Sequence, residues 1–165
     1  MTPLAADLLV LFRRDLRCFI REVEAFPDDA TLWHTVPGIS NSAGNLALHV
    51  AGNLSSFVGV ALGGTGYQRH REQEFSQREG SRADVVAALE GAAREVEIGL
   101  KALTPESLAA PFPMEVGGLH LVTGRFLLHL ASHLAFHLGQ AGYLRRALTG
   151  NAASTGVLSI KELVP

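Results

Sequence analysis

Cysteine is nearly absent: Cys18 is the one thiol in 165 residues. No intrachain disulfide can form and no cysteine-built zinc site is possible, so a reducing, cytoplasmic setting is the expected one. An excess of charge is missing as well. Fourteen Lys and Arg stand against 16 Asp and Glu, for a formal net charge of -2. Basic residues do not run beyond pairs such as Arg13-Arg14, which gives no electrostatic footprint for DNA or RNA. The apolar run in MTPLAADLLVLFRRDL is far too short to span a membrane, and it lacks the basic leader and cleavage site of a signal peptide. Neither export nor membrane insertion is expected. There is no Gly-rich phosphate loop after a strand, no serine elbow, no convergent carboxylate pair and no internal repeat. Strand-like alternation is confined to GLHLV at 118–122.

Apolar and helix-forming residues are plentiful. The chain is 47% hydrophobic with a mean hydropathy of +0.20. A large share of it must therefore face a core or a partner chain, which makes a homodimer plausible. The length suits one domain over residues 1–165, large enough to fold without disulfide or metal staples.

Helical punctuation divides the chain into four long segments. Thr2 followed by Pro3 caps a first helix of about residues 3–25, closed by Pro27. The stretch PDDATLWHTVPGISNS reads as a connecting loop with Trp33 in its middle. Ser40, Asn41 and Ser42 offer caps for a second helix of about 42–62, ended by GGTG. After the polar segment YQRHREQEFSQREG, Ser81 and Asp84 resemble a capping box that opens a third helix of about 82–103. A capped turn at Thr104-Pro105 lies in a second connector, and the last helix runs from about 121 to Gly150. Four long amphipathic helices predict an all-α four-helix bundle.

Three histidines, His129, His133 and His137, lie four apart on the last helix. Neighbours in such a series are offset by about 40° and can share a ligand, whereas the outer two are about 12 Å apart. A zinc ion holds nitrogens at about 2.0–2.1 Å, so one straight helix cannot bring all three to one ion. Phe126, Leu130, Leu144 and Leu148 lie within about 60° of His133 on a helical wheel, with His137 in the middle of that arc and His129 at its edge. The inward pair is thus His133 and His137. A third ligand must come from elsewhere, and the second helix offers His49 in the row Asn45, His49, Asn53. Asn53 is placed to bond a metal-bound group, Gln140 to orient a ligand or meet a substrate, and Gly139 to permit close helix approach. Glu74, Trp33 and His34 stand in connectors able to fold over the bundle end and wall a pocket, but ordinary loop roles are the ones expected of them. Asp15 and Glu22, seven apart on the first helix, could border the pocket, but such positions are usually solvated. Spacing alone leaves two possibilities, a metal site or a set of hydrogen-bonded core histidines.

The segments PGISNSAGNLALHVAGNLSSFVGVALGG, RHREQEF and HLASHLAFHLGQAGYLRRALTG resemble the DinB-like superfamily, near its DUF1572-type branch. They cover most of residues 37–150. Despite the name, the group is unrelated to the lesion-bypass polymerase. The resemblance implies an up-down-down-up four-helix bundle, often dimeric, with a divalent ion on His49, His133 and His137. Leu138 stands where relatives often carry a polar or basic residue. Distant members include mycothiol-dependent maleylpyruvate isomerase and bacillithiol transferase, so the resemblance implies zinc or nickel and a thiol S-transferase. Metal-dependent hydrolysis, non-catalytic binding of a metal or small ligand, and a structural dimer are the alternatives.

Overall fold

The computed structural model describes residues 1–156 and 159–163. Helix α1 spans Pro3–Glu24; Thr2 accepts from the Ala5 amide at 3.2 Å and Pro3 occupies the first turn, as the sequence predicts. Helix α2 is Asp29–Trp33 and α3 is Ala43–Gly63. The short α4 covers Arg71–Ser76, α5 Arg82–Lys101 and α6 Pro105–Ala109. The long α7, Thr123–Thr149, ends where Gly150 turns left-handed at φ 67°. A 3₁₀ turn at Ile160–Leu163 follows. Among the described residues the GLHLV stretch forms only the isolated bridges Pro111 to Val122 and Val116 to Leu119, so the fold is all-α.

The bundle arises because the four long helices each bury an apolar stripe. Helices α1 and α3 each pack against both α5 and α7 but barely touch one another, which sets the circular order α1, α5, α3, α7. Phe12, Phe19, Leu54, Leu89, Leu100, Leu127 and Leu130 are almost wholly buried between them. Each contributes about 1.5–3 kcal/mol relative to exposure. This order places α3 directly beside α7, so that side chains of the second and last long helices can meet.

Helix α3 is the most apolar element, long and hydrophobic enough by composition to cross a membrane, yet 61% of that window is buried inside the bundle. Its regular winding stops after Leu54 and widens into a π-helical turn over Ser55–Val60. Such turns are frequent at functional sites. Here it carries Phe57, whose ring lies 5.2 Å from Phe126 and 5.8 Å from the Arg69 guanidinium. The Val58 carbonyl comes so close to α5 that only a glycine fits opposite it, at Gly99.

The connectors depart from the loops expected of them. Trp33 ends a short helix capped by Asp28, lies 5% exposed, and donates from its indole N–H to the Gly80 carbonyl at 2.7 Å. It is thus a core plug, and it does not wall a site. The polar 67–80 segment contains α4, whose one buried residue is Glu74. Asp15 and Glu22, expected to be solvated, are 4% and 0% exposed and pair with Arg14 and Arg145.

Candidate metal centre

Helix α3 contributes His49, buried at 8% exposure, and α7 contributes His133 and His137, both half-buried. The Nε2 atoms of His49 and His133 are 3.3 Å apart, and those of His133 and His137 are 3.0 Å apart. One ring nitrogen from each of the three lies within 4.8 Å of the others. His129 is exposed, stacked between Phe126 at 5.9 Å and His133 at 6.1 Å, and lies outside the cluster. The two inward histidines occupy the edge of the buried stripe of α7 and not its middle, which is taken by Leu134, Leu138 and Ala141. That edge faces α3.

The outer nitrogens are anchored. His49 Nδ1 lies 3.0 Å from Glu74 Oε2, and because a carboxylate can only accept, Nδ1 carries the proton. His137 Nδ1 donates to Gln140 Oε1 at 2.8 Å. Both rings are therefore held with an Nε2 lone pair aimed at the cluster, the arrangement in which an oxygen on one ring nitrogen fixes the tautomer of the other. His133 Nε2 faces both of these lone pairs and can satisfy only one with its single proton. Three neutral rings thus leave at least one contact without a hydrogen, a deficit that a cation at the centre would remove.

The nitrogen spacing supports the same fit. Ligands about 2.0–2.1 Å from a tetrahedral zinc stand about 3.3 Å from one another, close to the 3.0 and 3.3 Å here. Burial, with the nearby His137, pushes the His133 ring down to about 4, and burial also lowers His137 against the raising effect of its bond to Gln140. Both rings are neutral at pH 7, as metal ligation requires.

Behind His49 lies an anchor on the connector between α3 and α5. Glu74, on α4, is bracketed by Arg69: Nε reaches Oε1 at 2.7 Å and Nη2 reaches Oε2 at 2.8 Å. Burial works to raise the Glu74 carboxyl, but hydrogen bonds from Arg69 and His49 outweigh it and hold the group below the usual carboxylate range. Glu74 is therefore not the ordinary loop residue it resembles in sequence. Arg69 has no periodic signal of its own; the RHREQE charge pattern around it is the one clue.

Asn45 sits two contacts away from the cluster. Its Oδ1 accepts from Ser42 in a capping box, and its Nδ2 donates to the carbonyls of Glu74 and Gln77, each at 2.9 Å. It fixes the backbone that presents Glu74. Asn53, one turn along α3 from His49, is 8% exposed. Among the described residues its Oδ1 is the one buried side-chain polar atom without a partner. Gly139 has nothing within 4 Å of its would-be Cβ, so no helix approaches it closely; on α7 that role falls to Gly142, against Glu22. His34, His70 and His120 are apart from the cluster, and Cys18 is fully buried on α1.

Beside the cluster a cleft of about 450 Å³ opens between α7 and the loop 38–41, with His137 and Gln140 in its wall.

Fold and site together define a helical bundle with a three-histidine cluster between its second and last long helices, of a kind that could hold a metal ion. The DinB superfamily pattern matches residues 11–141, well over half of the chain and all three histidines, and the protein belongs to that superfamily. Comparison with curated proteins gives no match.

Proposed function

We propose that the protein is a metal-dependent enzyme in which His49, His133 and His137 hold a divalent ion, zinc or nickel, and that its chemistry is thiol S-transfer. The observation that carries this reading is the convergence of three Nε2 atoms from two helices, two of them locked as lone pairs by Glu74 and Gln140. Three neutral imidazoles leave the full charge of a bound dication uncompensated, and such an ion deprotonates a coordinated thiol, or water, near neutral pH. Imidazole suits zinc and nickel alike.

The chain's own groups have distinct roles in this proposal. Glu74 holds the proton of His49 Nδ1, and Arg69 keeps Glu74 ionised, so the pair orients the ring while adding no net charge. Gln140 does the same for His137. Asn53 Oδ1 is an unused buried acceptor one turn from His49 on α3. Phe75 lies 4.7 Å from the His49 ring and covers that side of the cluster with aromatic surface.

Elemental analysis of untagged protein purified without chelator tests the proposal. Near-stoichiometric zinc or nickel in the wild type, lost in His49→Ala and in His133→Ala, is the expected result, and it justifies assays with low-molecular-weight thiols and electrophiles. Wild-type protein that neither contains nor takes up either metal would leave hydrogen-bonded core histidines as the explanation of the cluster.

A further inference from the structure

The cleft beside His137 has an unusual lining for a polar neighbourhood. Ile39, Leu46, Tyr143, Leu144 and Ala147 form its walls, and the loop 38–41 adds the uncharged edge of Ser40 and Asn41. Among the described residues no Asp, Glu, Lys or Arg lines it. Its volume of about 450 Å³ falls within the range of about 300–1,000 Å³ common for small-molecule sites. Two of its large apolar side chains stand open to solvent, Ile39 at 47% and Tyr143 at 76% exposure. An occupant would cover both and recover apolar burial that the free chain forgoes.

Gln140 gives the cleft a polar group beside the histidine cluster. Its Oε1 is engaged by His137 Nδ1 at 2.8 Å, so the amide nitrogen, with two hydrogens, is the part left to face an occupant. The same side chain then orients His137 and offers a donor within the cleft.

We infer that the cleft between α7 and the loop 38–41 binds an uncharged, largely apolar small molecule, with one hydrogen-bond acceptor such as a carbonyl directed to the Gln140 amide beside His137. That this molecule is the substrate rests on the metal-centre proposal; that it binds here does not. Without a metal on His137, a phosphorylated or carboxylated compound finds no charged side chain among the lining residues, Arg146 being stacked 5.1 Å over the Tyr143 ring, and burying its charge unpaired carries a cost of several kcal/mol.

Fluorescence titration of metal-stripped protein tests the inference with the uncharged dye prodan, a naphthalene bearing one ketone, beside the anionic anilinonaphthalene sulfonate. Prodan is expected to bind saturably at one site, about tenfold or more tightly than the sulfonate, and to lose about tenfold or more in affinity in Ala147→Trp. Ala147 is exposed, so the indole fills the cleft without disturbing the core. Gln140→Glu, which keeps the acceptor for His137 and replaces the free donor, is expected to weaken prodan by about threefold to tenfold. Tyr143→Ser, also at an exposed site, gives a second wall variant should Ala147→Trp fold poorly. Absence of saturable prodan binding, equal affinity in the wall variants, or a sulfonate that binds as tightly would overturn the inference. So would a change of oligomeric state in Ala147→Trp with prodan binding intact, since the face would then belong to a second copy of the chain. Zinc and nickel content measured on the same protein before stripping, and again after either metal is added back, separates the two proposals: dye binding without metal uptake defeats only the metal centre, and metal uptake without dye binding defeats only the cleft.

Discussion

At the scale of single residues, the cluster is controlled by groups that do not belong to it. Glu74 fixes the tautomer of His49 and is itself held by two nitrogens of Arg69. Replacing such an outer partner typically costs about 10- to 100-fold in metal affinity. Glu74→Gln keeps the size but loses the charge, and is expected to weaken zinc binding by about tenfold or more while leaving the helical circular dichroism unchanged; competition against a chromophoric chelator measures it. Equal affinity in the variant would show that the carboxylate does not orient the ring. The histidines also predict a pH response of the metal-free fold. His133 titrates near 4 when folded, below its ordinary value of 6.5, so as pH falls the unfolded chain takes up its proton first. Stability is therefore full above about pH 6.5 and declines progressively toward pH 4. Urea midpoints of chelator-treated protein should fall across that window, and less steeply in His133→Ala.

At the scale of elements, the site depends on α4 lying against α3. The contact is made at Gly52, one turn from His49, where a Cβ would overlap Glu74 Oε1. Gly52→Ala should therefore displace the carboxylate and lower metal affinity by about tenfold, although alanine is the better helix former by about 1 kcal/mol. Titration of zinc into the purified variant checks this, and an unchanged affinity would mean that α4 can retreat without cost. Much of this arrangement could be foreseen. Caps at Thr2, Ser42, Ser81 and Thr104 mark helix starts because a side-chain oxygen must serve amides that lack a carbonyl partner, and that requirement is local. The meeting of His49 with His133 and His137 follows from inward faces on two helices. What stayed hidden depends on tertiary placement. Helix α4 is six residues long and polar, with no periodicity to announce it, and its Glu74 becomes an anchor only because Asn45 seizes the backbone beneath it. Trp33 looked like a loop residue because its five-residue helix is shorter than a recognisable pattern. Gly139 seemed a packing glycine from its place beside the ligands, yet among the described residues nothing lies within 4 Å of where its Cβ would be.

At the scale of the molecule, the chain end is tied back to the bundle through a buried ion pair that lies partly outside the region shared with the superfamily, which ends at residue 141. Arg145 is 1% exposed and reaches Glu22, 0% exposed, at 2.5 Å, joining α7 to α1. The same guanidinium donates to the carbonyls of Asn151 and Ala153, and Thr155 donates from its hydroxyl to the other Glu22 oxygen. Arg21 adds bonds to the Thr155 carbonyl and to Glu162. With its lone pairs and donors this well occupied, the pair offsets its desolvation, but the removal of one member would strand the other in the core. Arg145→Met should thus cost about 3–5 kcal/mol, whereas Glu22→Leu combined with Arg145→Met should cost much less than the two single changes added together. Urea unfolding of the four proteins gives the cycle. Zinc affinity measured on the folded fraction should be the same in all four, because neither residue touches the histidines or Glu74. A single variant that lost metal in proportion to its stability while still folded would show that the strap and the cluster are coupled, and that the far end of α7 helps set the position of His133 and His137.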